Sequence, residues 1–231
     1  MAWSNYDILH LFCNAPLGKG DKMISLYSGT PGSGKSLDVC RLIYYRLRFG
    51  KDVICNFPIS MDRIKCRKMG AFTYIDNADL DPAKLVRYAM QKPRKEGEIL
   101  LVIDEAQILF NAREWGKAGR SDWMKFFTQH RKLGYEIFLI AQFDSMLDKQ
   151  IRALIEYEYK HRKVTNMGWR GWFIRPFVGG FCKVQIWYPM KEVIGLEFFR
   201  YSRKFANLYD TNALFNVDLT QIGSDAEPQT N

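Results

Sequence analysis

A glycine-rich stretch that ends in a lysine and a hydroxyl residue carries the clearest chemistry in this sequence. Residues 29–36 read GTPGSGKS and match the spacing G-x-x-x-x-G-K-[ST]. Glycines let backbone amides approach phosphate oxygens, the lysine reaches the β- and γ-phosphates, and the final hydroxyl can ligate Mg²⁺. The pattern predicts an ATP-binding loop in which Ser36 is also a metal ligand. The candidate ATP-contacting residues are Gly29, Thr30, Pro31, Gly32, Ser33, Gly34, Lys35, Ser36 and Leu37.

An acidic pair follows a short apolar run further along the chain. Residues 99–105 read ILLVIDE, which is typical of a buried strand with two acids at its carboxyl end. Asp104 is predicted to hold Mg²⁺ through water, and Glu105 to orient or deprotonate the attacking water. Alternatively, the pair only caps the helix that follows. A water-activating glutamate would harm a small-molecule kinase, which must not hydrolyse ATP, so the pair favours a hydrolase.

Gln142 and Arg131 complete the candidate catalytic set. Gln142 ends the run IFLIAQ, where a polar strand tip can touch the γ-phosphate and the attacking water; an ordinary polar strand end is the alternative. Arg131 lies just before this run, and Arg113 and Arg120 follow the acidic pair. An arginine supplied by a neighbouring subunit would neutralise charge in the transition state. The alternatives are a surface arginine or a nucleic-acid contact.

The predicted elements alternate in a way that would bring these residues together. Strands are expected at 23–28, 52–57, 99–103 and 136–140, helices at 36–49, 82–91, 123–132 and 147–154, and a further strand in EYEYKHRKV. This alternation predicts an α/β fold of the RecA-like P-loop NTPase type, with a mainly parallel central sheet flanked by helices. One domain is expected over residues 1–217, and a disordered polar tail over 218–231.

Residues 169–188 are rich in aromatic and basic side chains. Gly179-Gly180 predicts a hairpin turn, and hence a C-terminal β-hairpin appendage over about 165–190. Such a segment would suit a membrane interface or stacking on single-stranded DNA. We favour a hairpin packed on the edge of the sheet, because strand alternation places many of the aromatics inward.

Composition limits the class of protein. The 231 residues include 34 Lys and Arg against 25 Asp and Glu, a net charge of +9, which favours an acidic partner such as nucleic acid or an anionic membrane. The five cysteines and three histidines lack the spacing of a disulfide framework or a zinc site. No apolar run approaches the roughly 18 residues of a membrane-spanning helix, so no such helix is expected.

Several longer patterns resemble the zonula occludens toxin-like (Zot) family, which includes the filamentous-phage assembly ATPase. They are IDEAQ with the later NAR, QHRKLGYEIFLIAQ, DKQIRALIEYEYKHRK and YSRKFANLYDT, and the resemblance covers about residues 23–215. Family members commonly continue into a membrane-spanning helix, and this sequence shows no such helix. We therefore expect either a cytoplasmic domain alone or a member that docks on a membrane partner.

The resemblance implies an ATP-hydrolysing motor of the FtsK/HerA-like group for assembly and extrusion of filamentous phage. It implies a homo-oligomeric ring and contact with phage single-stranded DNA or its coat and binding proteins. It also implies a membrane partner or peripheral membrane contact, in the cytoplasm at the host inner membrane. The alternatives are a DNA-packaging or conjugative DNA translocase, a small-molecule kinase, and a module that uses ATP only to hold a shape.

Overall fold

The computed structural model describes residues 23–111, 119–167, 176 and 179–209, and these build one sheet of eight strands. In chain order the strands are β1 (Ile24–Ser28), β2 (Asp52–Cys55), β3 (Phe72–Tyr74), β4 (Ile99–Ile103), β5 (Tyr135–Ile140), β6 (Tyr157–Lys163), β7 (Phe181–Trp187) and β8 (Glu192–Phe199). The α-helices of this part of the chain are α1 (Lys35–Arg48), α2 (Pro82–Met90), α3 (Arg120–Gln129), α4 (Lys149–Arg152) and α5 (Arg203–Ala206).

The strands lie across the sheet in the order β3-β2-β4-β5-β1-β6-β7-β8. The first six are mutually parallel, whereas β7 and β8 continue the sheet in antiparallel pairing. The predicted α/β fold with a mainly parallel sheet is therefore confirmed. Strand β3 escaped prediction because its three residues, half-exposed to exposed, are too few to show a periodic pattern.

Helices cover both faces of the sheet. One apolar cluster joins the sheet to α2, α3 and α4, and a second joins the opposite face to α1 and α5. Every residue of β1, β4 and β5 is buried, because each strand has a covered face on either side. This explains why β4 is continuously apolar in sequence and does not alternate.

A buried charge cluster ties α1 to the last three strands. The carboxylate of Asp38 lies 2.9 Å from Lys183 Nζ of β7, 3.1 Å from His161 Nε2 of β6 and 2.8 Å from Arg41 in its own helix. Arg41 also pairs with Glu197 of β8 at 2.7 Å. The helix that begins with the glycine-rich loop is thus anchored to β6, β7 and β8 by charge as well as by apolar contact.

The predicted hairpin turn at Gly179-Gly180 is wrong. The hairpin consists of β7 and β8, and the chain reverses at residues 188–191. The glycine is needed for another reason: Gly179 has φ 104°, and a Cβ there would lie 2.7 Å from the carbonyl oxygen of Phe199. The hairpin also begins later than expected, and β7 pairs with β6, so it extends the central sheet and is not an appendage.

Other boundaries differ by a few residues. The helix expected over 147–154 is the single turn α4, because the Asp148 side chain accepts the N–H of Gln150 and begins the helix there. The aromatic residues Trp169, Trp172, Phe173 and Phe177, and the tail over 218–231, lie outside the described residues. Within the described part, no helix is long and apolar enough to cross a membrane.

Candidate active site

The glycine-rich loop, the acidic pair and Gln142 all lie at the carboxyl edge of the sheet. Gly29 follows β1, Asp104 follows β4, and Gln142 comes two residues after β5, which lies between those strands. The N–H of Gly29 donates to the carbonyl of Gln142 at 3.1 Å, and the N–H of Ala106 donates to that of Ile140 at 2.8 Å. Parallel α/β sheets bind ligands at this edge. Three distant segments therefore form one candidate site.

Two glycines of the loop are required by close contact with neighbouring strands. Gly29 has φ 139°, and a Cβ there would lie 2.4 Å from the carbonyl oxygen of His161 in β6. Gly34 has φ 96°, and a Cβ there would lie 2.8 Å from the Phe181 ring of β7. Any other residue would clash or be strained at these positions. The loop is consequently held directly against β6 and β7.

The Lys35 ammonium group lies inside the loop and close to the acidic pair. Its Nζ donates to the carbonyl of Gly29 at 2.5 Å and to that of Thr30 at 3.3 Å. Burial lowers the pKa of Lys35, whereas the negative charges of Glu105 and Asp104 oppose that shift. A cation held between loop carbonyls and two carboxylates is suited to bind the terminal phosphates of ATP.

Two further groups of this region fit a phosphate ligand. The Ser33 hydroxyl is buried and has no hydrogen-bond partner among the described residues. Lys163, the last residue of β6, places its Nζ 3.3 Å from the position of a Cβ on Gly32. A second ammonium group besides Lys35 therefore lies beside the loop, and it comes from a strand distant in the sequence.

Asp104 is fixed in place from several sides. The Asn56 side chain accepts the N–H of Asp104 at 2.7 Å and donates to its carbonyl at 2.8 Å. The carboxylate of Asp104 accepts the N–H of Glu105 at 2.8 Å and the hydroxyl of Tyr209 at 3.2 Å. The predicted metal ligand is thus held in one orientation before any ion is bound.

The electrostatics of Asp104 also fit a cation. Burial raises the pKa of its carboxyl group, and the Glu105 carboxylate adds to the rise. The Glu105 N–H, the Tyr209 hydroxyl and Lys35 act in the opposite direction without cancelling it. Without a cation beside it, the ionised carboxylate is therefore unfavourable in free energy, and a bound divalent cation would stabilise it.

Replacing Asp104 with asparagine tests this electrostatic cost. Because the folded-state pKa is raised, ionisation above the unfolded pKa of about 3.9 reduces stability. Without Mg²⁺, we expect the Tm of Asp104→Asn relative to that of the wild type to rise as the pH increases from about 4 to neutral, because only the wild type then carries the ionised carboxylate. Thermal melts over this pH range measure the difference. Asp79→Asn, at an exposed carboxylate, is the control, and a Tm difference that does not change with pH would contradict the argument.

Glu105 adopts an unusual backbone conformation beside Asp104. Its φ of 46° is left-handed, which costs a non-glycine residue about 1–2 kcal/mol. Such strain persists where the surrounding structure enforces it, and it clusters at functional sites. The side chain is exposed and accepts a hydrogen bond from the Gln107 amide. The strained backbone presents a carboxylate at the mouth of the candidate site.

Arg131 and Arg120, the two candidate arginines within the described residues, do not join this site within one chain. Arg131 precedes β5 and pairs with Glu156, which precedes β6, at 2.8 Å. Both therefore lie at the amino edge of the sheet, opposite the glycine-rich loop. Arg120 pairs with the buried Asp148 at 3.2 Å, and Arg113 lies outside the described residues.

Sequence reasoning missed Asn56 and Tyr209. Asn56 directly follows a buried strand, so the rule that ligands bind at carboxyl edges of parallel strands was sufficient to find it. Tyr209 gives no such signal, because it lies 105 residues from Asp104 and only the tertiary fold brings the two together.

Comparisons with known proteins agree with this geometry. The model of the zonular occludens toxin (Zot) family matches residues 23–214. The Gene 1 protein of Enterobacteria phage I2-2 is 26% identical over 170 residues, which cover 70% of this chain and 44% of that relative. The chain therefore spans less than half the length of this curated relative.

Solved structures share the fold. The N-terminal domain of zonular occludens toxin from Neisseria meningitidis is 19% identical, with a TM-score of 0.54 over 81% of this chain and 98% of that one. The genome-packaging NTPase B204 from Sulfolobus turreted icosahedral virus 2, solved with ATP-gammaS, is 12% identical, with a TM-score of 0.51 over 78% and 98%. The predicted RecA-like P-loop NTPase fold is confirmed.

Proposed function

Because this chain belongs to the zonular occludens toxin (Zot) family, we propose that it is an ATP-hydrolysing motor for assembly and extrusion of filamentous phage. The observation that carries the proposal is that the glycine-rich loop with Lys35, the Asp104–Glu105 pair and Gln142 all lie at the carboxyl edge of the sheet. The match to the Gene 1 protein of Enterobacteria phage I2-2 supports the phage context.

The proposed chemistry divides the site between binding and hydrolysis. Lys35 and the amides of the glycine-rich loop hold the phosphates, while Ser36 and Asp104 are the residues that would hold Mg²⁺. The bound ion would neutralise charge on the phosphates and orient them. Glu105 takes the proton of the attacking water, and Gln142 at the tip of β5 orients that water.

The position of Arg131 favours an assembly of several copies. Its side chain is 47% exposed at the edge of the sheet opposite its own loop, so a catalytic role for Arg131 requires the site of a neighbouring copy. A ring in which each copy presents this edge towards the next copy's nucleotide would use it in this way. We therefore propose a homo-oligomeric ring with ATP between subunits.

The proposed partners follow from charge and family. A net charge of +9 suits phage single-stranded DNA, either directly or through its coat and binding proteins. The proposed location is the cytoplasm, peripheral to the host inner membrane, with contact through a membrane partner or the membrane surface.

A second candidate function is DNA packaging or conjugative DNA transfer. The fold similarity to a viral genome-packaging NTPase favours it. Strong stimulation of ATP hydrolysis by DNA alone would favour this candidate over phage extrusion. A small-molecule kinase fits less well, because the exposed Glu105 beside Asp104 would promote hydrolysis.

Substitution of Arg131 tests the intersubunit mechanism. We expect Arg131→Ala to lower ATP turnover by roughly 10³-fold or more, since an arginine supplied to a neighbour's phosphate contributes that much. Stability should change by less than about 1 kcal/mol, because the pair with Glu156 is largely exposed. Phosphate release measures turnover, and Arg87→Ala, at an exposed arginine of α2, is the control.

Particle images with a non-hydrolysable ATP analogue complete the test. A ring with nucleotide at subunit boundaries is expected. A protein that stays monomeric at high concentration with Mg-ATP, and hydrolyses ATP equally well without Arg131, would contradict the mechanism.

A further inference from the structure

The last described segment of the chain returns to the carboxyl edge of the sheet. After α5, Leu208 is fully buried, and its carbonyl accepts the N–H of Ser60 at 3.1 Å. Tyr209 forms an antiparallel bridge with Ile59, and its ring lies 5.1 Å from that of Phe57. The segment is thus paired, by backbone and by ring contact, with the residues that follow β2.

This pairing brings the Tyr209 hydroxyl to Asp104. The phenol donates to Oδ2 at 3.2 Å, while Oδ1 accepts the N–H of Glu105 at 2.8 Å. Each carboxylate oxygen therefore has a donor from a different segment of the chain. Rotation of the carboxylate about its Cβ–Cγ bond would break both bonds.

The segment that carries Tyr209 also contacts α1, the helix that follows the glycine-rich loop. Phe205 of α5 lies 5.5 Å from Tyr44 of α1, ring to ring, and Lys204 lies 4.0 Å above the same Tyr44 ring. The segment that carries Tyr209 is therefore fixed to α1 at one end and to the β2 connection at the other. The hydroxyl is held in place by the fold and does not depend on a loose surface contact.

We propose that Tyr209 is a positioning residue for Asp104, which sets the orientation in which this carboxylate receives Mg²⁺; the inference rests on the proposed Mg-ATP site. A donor to one carboxylate oxygen fixes which lone pairs face the ion. Removing a residue that hydrogen-bonds to a metal ligand typically weakens metal binding about 10–100-fold, and we expect the lower limit here.

Removal of the hydroxyl alone tests this role. In the full chain, Tyr209→Phe keeps the ring contact with Phe57 and deletes only the donor. We expect the Mg²⁺ concentration for half-maximal ATP hydrolysis to rise about 10-fold. Binding of a fluorescent ATP analogue in EDTA should change by less than about twofold, because the phosphate loop is untouched. Tyr188→Phe is the matched control, since Tyr188 donates to Asp144 at 3.0 Å in a similar tyrosine–aspartate pair.

The outcomes separate this inference from the proposed function. If the wild-type protein shows no Mg²⁺-dependent nucleotide binding or hydrolysis, the proposed function fails. If the wild type shows both and Tyr209→Phe titrates with Mg²⁺ like the wild type, the positioning role is overturned. An unfolded Tyr209→Phe protein, or one that loses Mg-free nucleotide binding equally, would make the hydroxyl a structural group and also overturn it.

Discussion

Glu105→Gln should abolish most ATP turnover while leaving ATP bound. A glutamine has the size of glutamate but cannot accept a proton from water, so a fall of about 10²–10⁴-fold in turnover is expected. Affinity for ATP should stay near the wild-type value, because Lys35 and the loop amides remain. Phosphate release and fluorescent-nucleotide titration measure the two quantities separately.

The control for this substitution lies at the other end of the same strand. Glu98 directly precedes β4, at the amino edge of the sheet, so Glu98→Gln makes the same chemical change away from the site. Turnover of Glu105→Gln close to that of the wild type would remove Glu105 from the hydrolytic role. Retained binding with lost turnover would exclude a module that uses ATP only to hold a shape.

Asp38→Ala should strongly destabilise the folded protein. Asp38 is 2% exposed, and its removal leaves the buried Lys183 without its nearest carboxylate. Breaking a buried pair in this way costs about 3–5 kcal/mol. Glu197 still contacts Lys183 at 3.2 Å, so we expect the lower end, about 3 kcal/mol, by chemical denaturation. Asp79→Ala, which breaks an exposed pair with Lys84, should cost less than about 1 kcal/mol.

The same cluster gives the stability a defined pH dependence. Burial alone would raise the pKa of Asp38, but Lys183, His161 and Arg41 outweigh it and hold the pKa well below its usual range. A depressed folded-state pKa stabilises the protein above the unfolded pKa of about 3.9, and this contribution declines as the pH falls below that value. The difference in unfolding free energy between wild type and Asp38→Ala should therefore shrink as the pH falls below about 4. A difference that grows in acid would contradict this account.

The local sequence pattern was sufficient to predict those parts of the site that consist of one strand and the turn that follows it. Lys35, Asp104 and Gln142 each follow a buried apolar strand, and parallel pairing alone brings such positions to one edge. Contacts between distant segments left no local signal. Asp38 sits beside the apolar positions of α1 with no visible reason for burial, since its partner Lys183 is 145 residues away.

The hairpin turn was misplaced for a related reason. Two adjacent glycines are typical of a tight reversal, yet Gly179 serves a close approach to the end of β8. In a single sequence, a glycine required by close contact between two distant segments cannot be distinguished from a glycine required by a turn. The actual reversal at 188–191 uses Lys191 with φ 56°, a residue type that gives no turn signal.

The close contact of the glycine-rich loop with β6 and β7 has a practical consequence for truncated proteins. A fragment that ends after β6 would keep every recognisable nucleotide motif and still lose the Phe181 ring against Gly34 and the Lys183 partner of Asp38. A fragment with an intact loop must therefore extend at least through β7. It must extend through β8 if Arg41 is to keep Glu197, and through Tyr209 if Asp104 is to keep its hydroxyl donor. Motif content alone would place the boundary too early.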